Sequence, residues 1–136
     1  MGEKEIVFID ANIFLEFILG DQQALRCKEF LEQIRNFTIF AYTSDFIIYS
    51  CLLQIERKLK SRLFLHDFLL LLSDCSIKII RPSLQDISLA LKLVDKEQLD
   101  FDDSLVVSCM VKNNIKTLIS LDKDFDRIHI IKRLEP

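Results

Sequence analysis

Aspartates that could bind a metal ion adjoin apolar segments at four widely separated places in the chain. They are Asp10 in FIDANIF, Asp45 in YTSDFIIYS, Asp103 in FDDSLVVS and Asp122 in LISLDKDF. Mg²⁺ prefers oxygen ligands in an octahedral shell and keeps several of its waters. Two or three carboxylates on a rigid rim, completed by the phosphate of a substrate, would therefore suit it. The pattern indicates metal-assisted phosphate chemistry, provided that the fold brings these carboxylates together.

Each aspartate also has a simpler interpretation, because an Asp at a helix N-terminus commonly caps the helix or interacts with its dipole. Asp45 and Asp102 fit that interpretation, since each lies at the start of a predicted helix. Asp103 fits it poorly, because it begins an otherwise apolar helical stretch, SLVVSCM. A carboxylate buried there needs a cation or hydrogen-bond donors, which favours a ligand.

The elements that would position these residues alternate between short apolar strands and amphipathic helices. Strands are predicted at residues 5–10, 37–42, 77–80, 117–120 and 129–132. Helices are predicted at residues 11–19, 21–36, 44–60, 61–72, 84–94 and 103–111, with a helical turn at 122–127. Gly20 is expected to close the first helix, Asp21, Ser44 and Asp102 to cap later ones, and Ser83 with Asp86 to form a capping box.

This alternation predicts an α/β fold in which a parallel sheet of roughly four to five short strands carries helices on both faces. In that architecture ligands bind beyond the carboxyl ends of the strands. We therefore expect Asp10, Asp122 and the Asp102–Asp103 pair to converge at that edge.

Length and composition are those of one soluble globular domain. The chain has 136 residues, of which 50% are hydrophobic and 29% charged, so we expect a single domain over residues 1–136. Its net charge of −3 argues against a protein that binds nucleic acid mainly by neutralising phosphates. Any contact with nucleic acid must be local or assisted by a metal ion.

The cysteines and the apolar segments indicate a cytoplasmic protein. Cys27, Cys51, Cys75 and Cys109 are too far apart in sequence for a zinc or redox motif, so they are predicted to be buried free thiols in a reducing compartment. The amino-terminal sequence MGEKEIVFIDAN predicts no signal peptide. The apolar run at 63–72 is too short to span a membrane and is predicted to be a core helix.

The acidic motifs resemble those of the PIN-domain family, in particular the VapC-type toxins, and the resemblance covers nearly the whole chain. Asp10-Ala11-Asn12 matches a strand that ends in Asp, a small residue and Asn. Asp103-Ser104-Leu105 matches a helix that begins with Asp, a small residue and Leu. The segment from Ser120 to Phe125, with acids at Asp122 and Asp124, matches the final motif.

The resemblance implies a three-layer α/β/α PIN-like domain and a ribonuclease that depends on Mg²⁺ or Mn²⁺. Asp10 and Asp103 would be the principal ligands. Asp122 and Asp124 would hold a second metal position or orient its waters. Asn12 and Ser120 would position the ligands through hydrogen bonds. The resemblance also implies an RNA substrate and an antitoxin that restrains the enzyme, and it makes a homodimer the expected assembly.

The chain departs from the family at Ser50, where the pattern places a Glu seven residues after a Thr, here Thr43. A hydroxyl cannot supply that negative charge, and the loss should weaken metal binding. Asp45 and Glu56 are poor substitutes: Asp45 lies in the first turn of its predicted helix, and Glu56 is about 240° around the helix from Ser50.

Two features leave the function open. Arg57, Lys58, Lys60 and Arg62 form the densest basic group, which could guide RNA phosphates or meet an acidic partner, although a charged helix end is usually just solvated. The departure at Ser50 allows a second hypothesis, a weak or inactive PIN domain that serves as a binding or assembly module. A phosphatase-like or response-regulator-like domain would also place acids at strand ends, but no phosphoacceptor arrangement is evident.

Overall fold

The structure is a computed structural model that describes residues 5–136. The first four residues, which belong to the segment predicted to contain no signal peptide, lie outside that range. The strands are β1 (Glu5–Ile9), β2 (Ile39–Ser44), β3 (Lys78–Ile80), β4 (Thr117–Ile119) and β5 (Lys132–Leu134). The helices are α1 (Ala11–Leu19), α2 (Ala24–Arg35), α3 (Asp45–Lys58), α4 (Leu63–Asp74), α5 (Leu84–Glu97) and α6 (Phe101–Lys112), with a 3₁₀ helix at Lys123–Arg127.

All five strands are parallel and lie in the order β3-β2-β1-β4-β5. Right-handed crossovers place α1 to α4 on one face of the sheet and α5 and α6 on the other. The packing agrees, because α1 contacts α2 and α3, α3 contacts α4, and α5 contacts α6. The predicted three-layer α/β/α architecture is confirmed.

The core lies on both sides of β1, the central strand. Val7, Phe8 and Ile9 are fully buried there, as expected for a strand covered by helices on each face. In α6 every residue from 104 to 110 is buried, so this helix has an apolar surface on almost every side. On the opposite face, the rings of Phe14 in α1 and Phe68 in α4 pack edge to face, with centroids 5.5 Å apart.

Local signals fixed several helix ends as predicted. Gly20 ends α1 with φ +68°, a left-handed conformation that glycine adopts without strain. The Oγ of Ser44 accepts the backbone N–H of Ile47 at 3.3 Å and caps α3. Ser83 and Asp86 form the reciprocal capping box of α5.

Other predicted boundaries were wrong. Asp21 does not cap α2, which begins three residues later; instead its carbonyl accepts the N–H of Ala24 in a turn. Phe37 lies outside β2, because the chain passes through a left-handed conformation there (φ +61°). The last strand begins at Lys132 rather than at residue 129, since the preceding residues form a turn in which Ile131 N–H bonds the carbonyl of Ile128.

All four cysteines are free and buried, as predicted. Burial raises the pKa of Cys51 to about 12, so this thiol is poorly suited to act as a nucleophile at neutral pH. Within the described range, none of the helices combines the length and apolar character needed to cross a membrane.

Candidate active site

Asp10 lies directly after β1 and is the N-cap residue of α1, so it is fixed at the carboxyl edge of the sheet. Its backbone N–H continues the sheet pairing by donating to the carbonyl of Ile119 at 3.1 Å. Its Oδ1 accepts the N–H of Ala11 at 2.8 Å, which caps α1. The side chain is almost completely buried, at 8% exposed.

A hydrogen-bond network joins Asp10 to the end of β4. The hydroxyl of Ser120 donates to Asp10 Oδ2 at 2.7 Å, and the amide of Asn12 donates to the same oxygen at 3.2 Å. The Oδ1 of Asn12 accepts the backbone N–H of Leu121 at 3.1 Å, and Ser120 Oγ accepts that of Asp122 at 3.0 Å. These bonds hold the two strand ends, and therefore the carboxylate, in one orientation.

Asp103 reaches the same place from the first turn of α6. A small cleft of about 60 Å³ lies between the two aspartates and α3. Its lining residues are Asp10, Ala11, Phe46, Ile47, Ser50, Asp102, Asp103 and Val106. The volume is about that of two molecules in liquid water, which is enough for an ion with part of its hydration shell.

The electrostatics of the cleft favour binding of a cation. Burial, followed by the neighbouring charge of Asp102 and then that of Asp10, raises the pKa of Asp103 to about 7. Burial also raises the pKa of Asp10, and the charges of Asp122 and Asp102 add to this effect. The hydrogen bonds from Ser120 and Ala11 oppose it by stabilising the carboxylate. Carboxylates that repel one another in a desolvated cleft gain most when a cation neutralises them.

Asp122 is the N-cap residue of the 3₁₀ helix that follows β4, and it does not line the cleft itself. Its Oδ1 accepts the N–H of Asp124 at 2.9 Å, so it caps that helix as well as contributing charge to the cleft. Its charge raises the pKa of both Asp10 and Asp103. Asp124 is exposed and is joined to the site through the backbone bond to Asp122.

A compact acidic group was not predicted from the sequence. One carboxylate oxygen from each of Asp100, Asp102 and Asp103 lies within 4.8 Å of the other two. The prediction that Asp102 caps α6 was wrong, because the helix begins at Phe101 and its N-cap position is Asp100. The signal in the sequence was the spacing DFDD, but its register on the helix decides which carboxylates face the cleft.

Ser50 lines the cleft from α3, so the residue at the family's Glu position does face Asp10 and Asp103. It is exposed, and its Oγ accepts the amide of Gln54 at 3.3 Å. Neither Asp45 nor Glu56 lines the cleft. Asp45 bonds the N–H of Phe46 at 2.7 Å, and Glu56 lies beside Leu59 in a neighbouring depression, so neither replaces the missing carboxylate.

The four basic residues divide between two surfaces. An open groove of about 540 Å³ adjoins the cleft and shares Phe46 and Ser50 with it. Its other lining residues are Tyr49, Leu53, Gln54, Arg57 and Lys58. Lys60 and Arg62 instead line the depression beyond the end of α3. The basic group is therefore divided between two depressions.

Arg133 is a further residue near the site that was not predicted from the sequence. Its guanidinium donates to the backbone carbonyl of Ser120 at 2.9 Å and to both carboxylate oxygens of Asp126, at 2.7 and 3.1 Å. Because the first bond reaches the residue that holds Asp10, Arg133 supports the network from behind the cleft.

The donor set fits Mg²⁺ or Mn²⁺. The cleft offers hard carboxylate oxygens, whereas the one cysteine near it, Cys51, is protonated at neutral pH and directs its Sγ towards the carbonyl of Ala11 at 3.8 Å. Carboxylates with few other donors are typical of Mg²⁺ and Mn²⁺ sites rather than of zinc sites.

The chain belongs to the PIN domain family, whose model, described as "PIN domain", matches residues 7–131. The resemblance seen in the motifs is thereby confirmed at the level of the family. No curated protein matches the chain significantly in sequence.

Solved structures of several toxins are similar to this chain. VapC20 of Mycobacterium tuberculosis, described as a sarcin-ricin loop cleaving toxin, gives a TM-score of 0.77 at 15% identity, covering 96% of this chain and 99% of its own. VapBC2 of Rickettsia felis, bound to a DNA fragment from its promoter, gives a TM-score of 0.75 at 18% identity, and the match covers 96% of this chain and 98% of that chain. A toxin–antitoxin complex of Klebsiella pneumoniae gives a TM-score of 0.69 at 18% identity, and the match covers 92% of this chain and 94% of that chain. At these identities the likeness establishes the fold.

Proposed function

We propose that this chain is a metal-dependent endoribonuclease that hydrolyses RNA phosphodiester bonds at the acidic cleft. The observation that carries the proposal is the environment of Asp10. A carboxylate 8% exposed is held by Ser120 and Asn12 and faces Asp103 across a cleft of about 60 Å³. A purely structural carboxylate would gain nothing from a second one so close, whereas a cation site requires both.

Asp10 and Asp103 are the proposed principal ligands of Mg²⁺ or Mn²⁺. Such an ion supplies Lewis-acid activation of water and stabilises negative charge on a phosphate. Asn12 and Ser120 keep the Oδ2 of Asp10 in place, so that carboxylate is positioned before any substrate arrives. Asp122, with Asp124 beside it, is proposed to complete a second cation position or to orient water there.

The groove beside the cleft is the proposed path of the RNA. Arg57 and Lys58 lie in it and can contact phosphates, while Tyr49, 57% exposed, offers a ring on which a base can stack. Lys60 and Arg62 are farther along the chain and line a separate depression, so we assign them a weaker role in guiding RNA. This arrangement suits an acidic protein that binds nucleic acid locally.

A toxin role is supported by the solved structures named above, one of which is described as a toxin and another as a toxin–antitoxin complex. We propose an antitoxin that restrains the enzyme by covering the cleft. Helix α4 also exposes apolar side chains, including Leu69 and Leu70 at 52% and 61%. Exposed apolar area of this kind supports the proposed homodimer.

Ser50 favours a second candidate, a PIN domain that has lost activity and serves as a binding or assembly module. In the cleft the α3 wall is neutral, because its residues are Phe46, Ile47 and Ser50. A site with fewer negative charges binds a divalent cation more weakly. The two candidates differ in whether the native chain binds Mn²⁺ and cleaves RNA.

Cleavage of a structured RNA in the presence of Mn²⁺ tests the proposal. We expect the native chain to cleave and to stop when the metal is chelated. Ser50→Glu should cleave about tenfold faster, because it adds a carboxylate to the neutral wall of the cleft. Ser50→Gln is the matched control, because Gln has the size of Glu but no charge. This variant should not gain activity.

Absence of cleavage by the native chain and by Ser50→Glu, together with no heat of Mn²⁺ binding in a titration, would establish the binding module instead. Equal gains from Glu and Gln would mean that size, rather than charge, limits the reaction.

A further inference from the structure

The charge of the cleft is distributed unevenly between its two walls. The α3 wall is neutral, whereas the α6 wall carries two consecutive carboxylates, Asp102 and Asp103. Only the second of these belongs to the motif on which the proposed function depends. The position of Asp102 at the cleft therefore needs its own explanation.

Asp102 lies in the first turn of α6, where its charge interacts favourably with the helix dipole, an interaction that does not require it to line the cleft. It is not the N-cap residue of α6, a position that Asp100 occupies. Its Oδ1 accepts the N–H of the next residue, Asp103, at 3.0 Å, a bond that an Asn would make equally well. In the described part of the chain, no Lys or Arg forms an ion pair with it. The side chain is exposed, so solvent rather than another side chain balances its charge.

Asp102 lines the same cleft as both proposed ligands, Asp10 and Asp103. One of its carboxylate oxygens lies within 4.8 Å of a carboxylate oxygen of Asp103. Asp100 belongs to the same acidic group and the same helical turn, but it does not line the cleft. Asp102 and Asp100 therefore carry the same charge but differ in whether they line the cleft.

We propose that Asp102 is an additional metal ligand of this chain and that it supplies the negative charge which the α3 wall lacks at Ser50. The inference rests on the proposed function, because it concerns the same cation. With Asp102 included, three carboxylates line the cleft, those of Asp10, Asp102 and Asp103. A cation held mainly against α6 needs no carboxylate on the opposite wall.

Calorimetric titration with Mn²⁺ alone, without RNA, tests this inference. Asp102→Asn should weaken Mn²⁺ binding about tenfold, which corresponds to about 1.4 kcal/mol. Asp100→Asn removes the same charge from the same turn and should change the affinity less than about twofold. Thermal unfolding in a chelator should show that both variants fold, since an Asn at 102 keeps the bond to the N–H of Asp103.

A double-mutant cycle with Ser50→Glu makes the test specific. If Asp102 supplies the charge missing from α3, adding Glu at position 50 should recover most of the affinity lost in Asp102→Asn. Ser50→Glu alone should raise the Mn²⁺ affinity of the native chain by a smaller factor. A structural role for Asp102 would give no such rescue.

Unchanged Mn²⁺ affinity in Asp102→Asn, or equal losses in Asp100→Asn and Asp102→Asn, would overturn the assignment while leaving the proposed function intact. If the native chain itself bound no Mn²⁺, both the assignment and the proposed function would fail. The native titration therefore separates the two cases.

Discussion

Asp10→Asn is expected to reduce cleavage of RNA by at least about 100-fold while the protein remains folded. The substitution removes the buried charge that holds a cation, and it places an amide against Ser120 and Asn12, which now donate to the carboxylate. Burial and neighbouring charges raise the pKa of Asp10, so removal of the charge offsets part of the cost of the altered hydrogen bonds, and the variant should stay folded without metal. Loss of activity with retained stability is the result that marks a functional residue.

The assay needs a control with the same change in charge at the same sheet edge. Asp45→Asn provides it, because Asp45 begins α3 and does not line the cleft. That variant should keep its activity within about threefold, as surface substitutions away from a site usually do. Cleavage by Asp10→Asn at the native rate would show that the activity arises elsewhere.

Asp103→Asn should stabilise the metal-free protein at pH 8 by about 2 kcal/mol. The pKa of Asp103 is raised to about 7, mainly by burial and then by the charge of Asp102. A carboxyl group that binds its proton more tightly when folded loses folding stability as the pH rises from about 4 to about 7. The Asn variant has no such loss. We discount the full linkage value by about half, because water partly screens this side chain.

Chemical denaturation in a chelator at a series of pH values measures this effect. The stabilisation should shrink as the pH falls and approach zero below about pH 3, where the native carboxyl is protonated in both the folded and the unfolded state. Asp126→Asn is the opposite control, because its hydrogen bond with Arg133 lowers the pKa of Asp126 and stabilises the folded state. If Asp103→Asn were less stable than the native chain at pH 8, the carboxylate of Asp103 would be stabilised by hydrogen-bond donors rather than destabilised by burial and neighbouring charges.

Addition of Mn²⁺ at pH 8 should make the native chain more stable to unfolding than Asp103→Asn. The native chain gains stability when it binds the ion, because only the folded state presents the site. Asp103→Asn loses a proposed ligand and should gain less. If both gained equally, the ion would be binding outside the cleft.

The sequence was sufficient to predict which residues meet at the carboxyl edge of the sheet. Parallel strands place their carboxyl ends at one edge, so Asp10 and the residues after β4 had to meet there once the βα alternation was recognised. The bonds from Ser120 and Asn12 to Asp10 follow from that meeting. Local chemistry also fixed the cap at Ser44 and the end of α1 at Gly20, since both depend on neighbouring residues alone.

The register of α6 could not be predicted in the same way. Its residues are apolar on nearly every side, so hydrophobic periodicity does not show which of two consecutive aspartates faces the cleft. The start of β5 was misplaced because apolar residues before Lys132 are used in a turn instead of the sheet. The role of Arg133 depends on tertiary contacts with Ser120 and Asp126, which have no signal in the local sequence.

The most direct test of the account is a crystal structure of the native chain soaked in Mn²⁺, with anomalous diffraction recorded to locate the ion. We predict a peak in the cleft within bonding distance of carboxylate oxygens from Asp10 and Asp103. The absence of a peak there at saturating Mn²⁺, or a peak bound only by exposed acids elsewhere on the chain, would contradict the account.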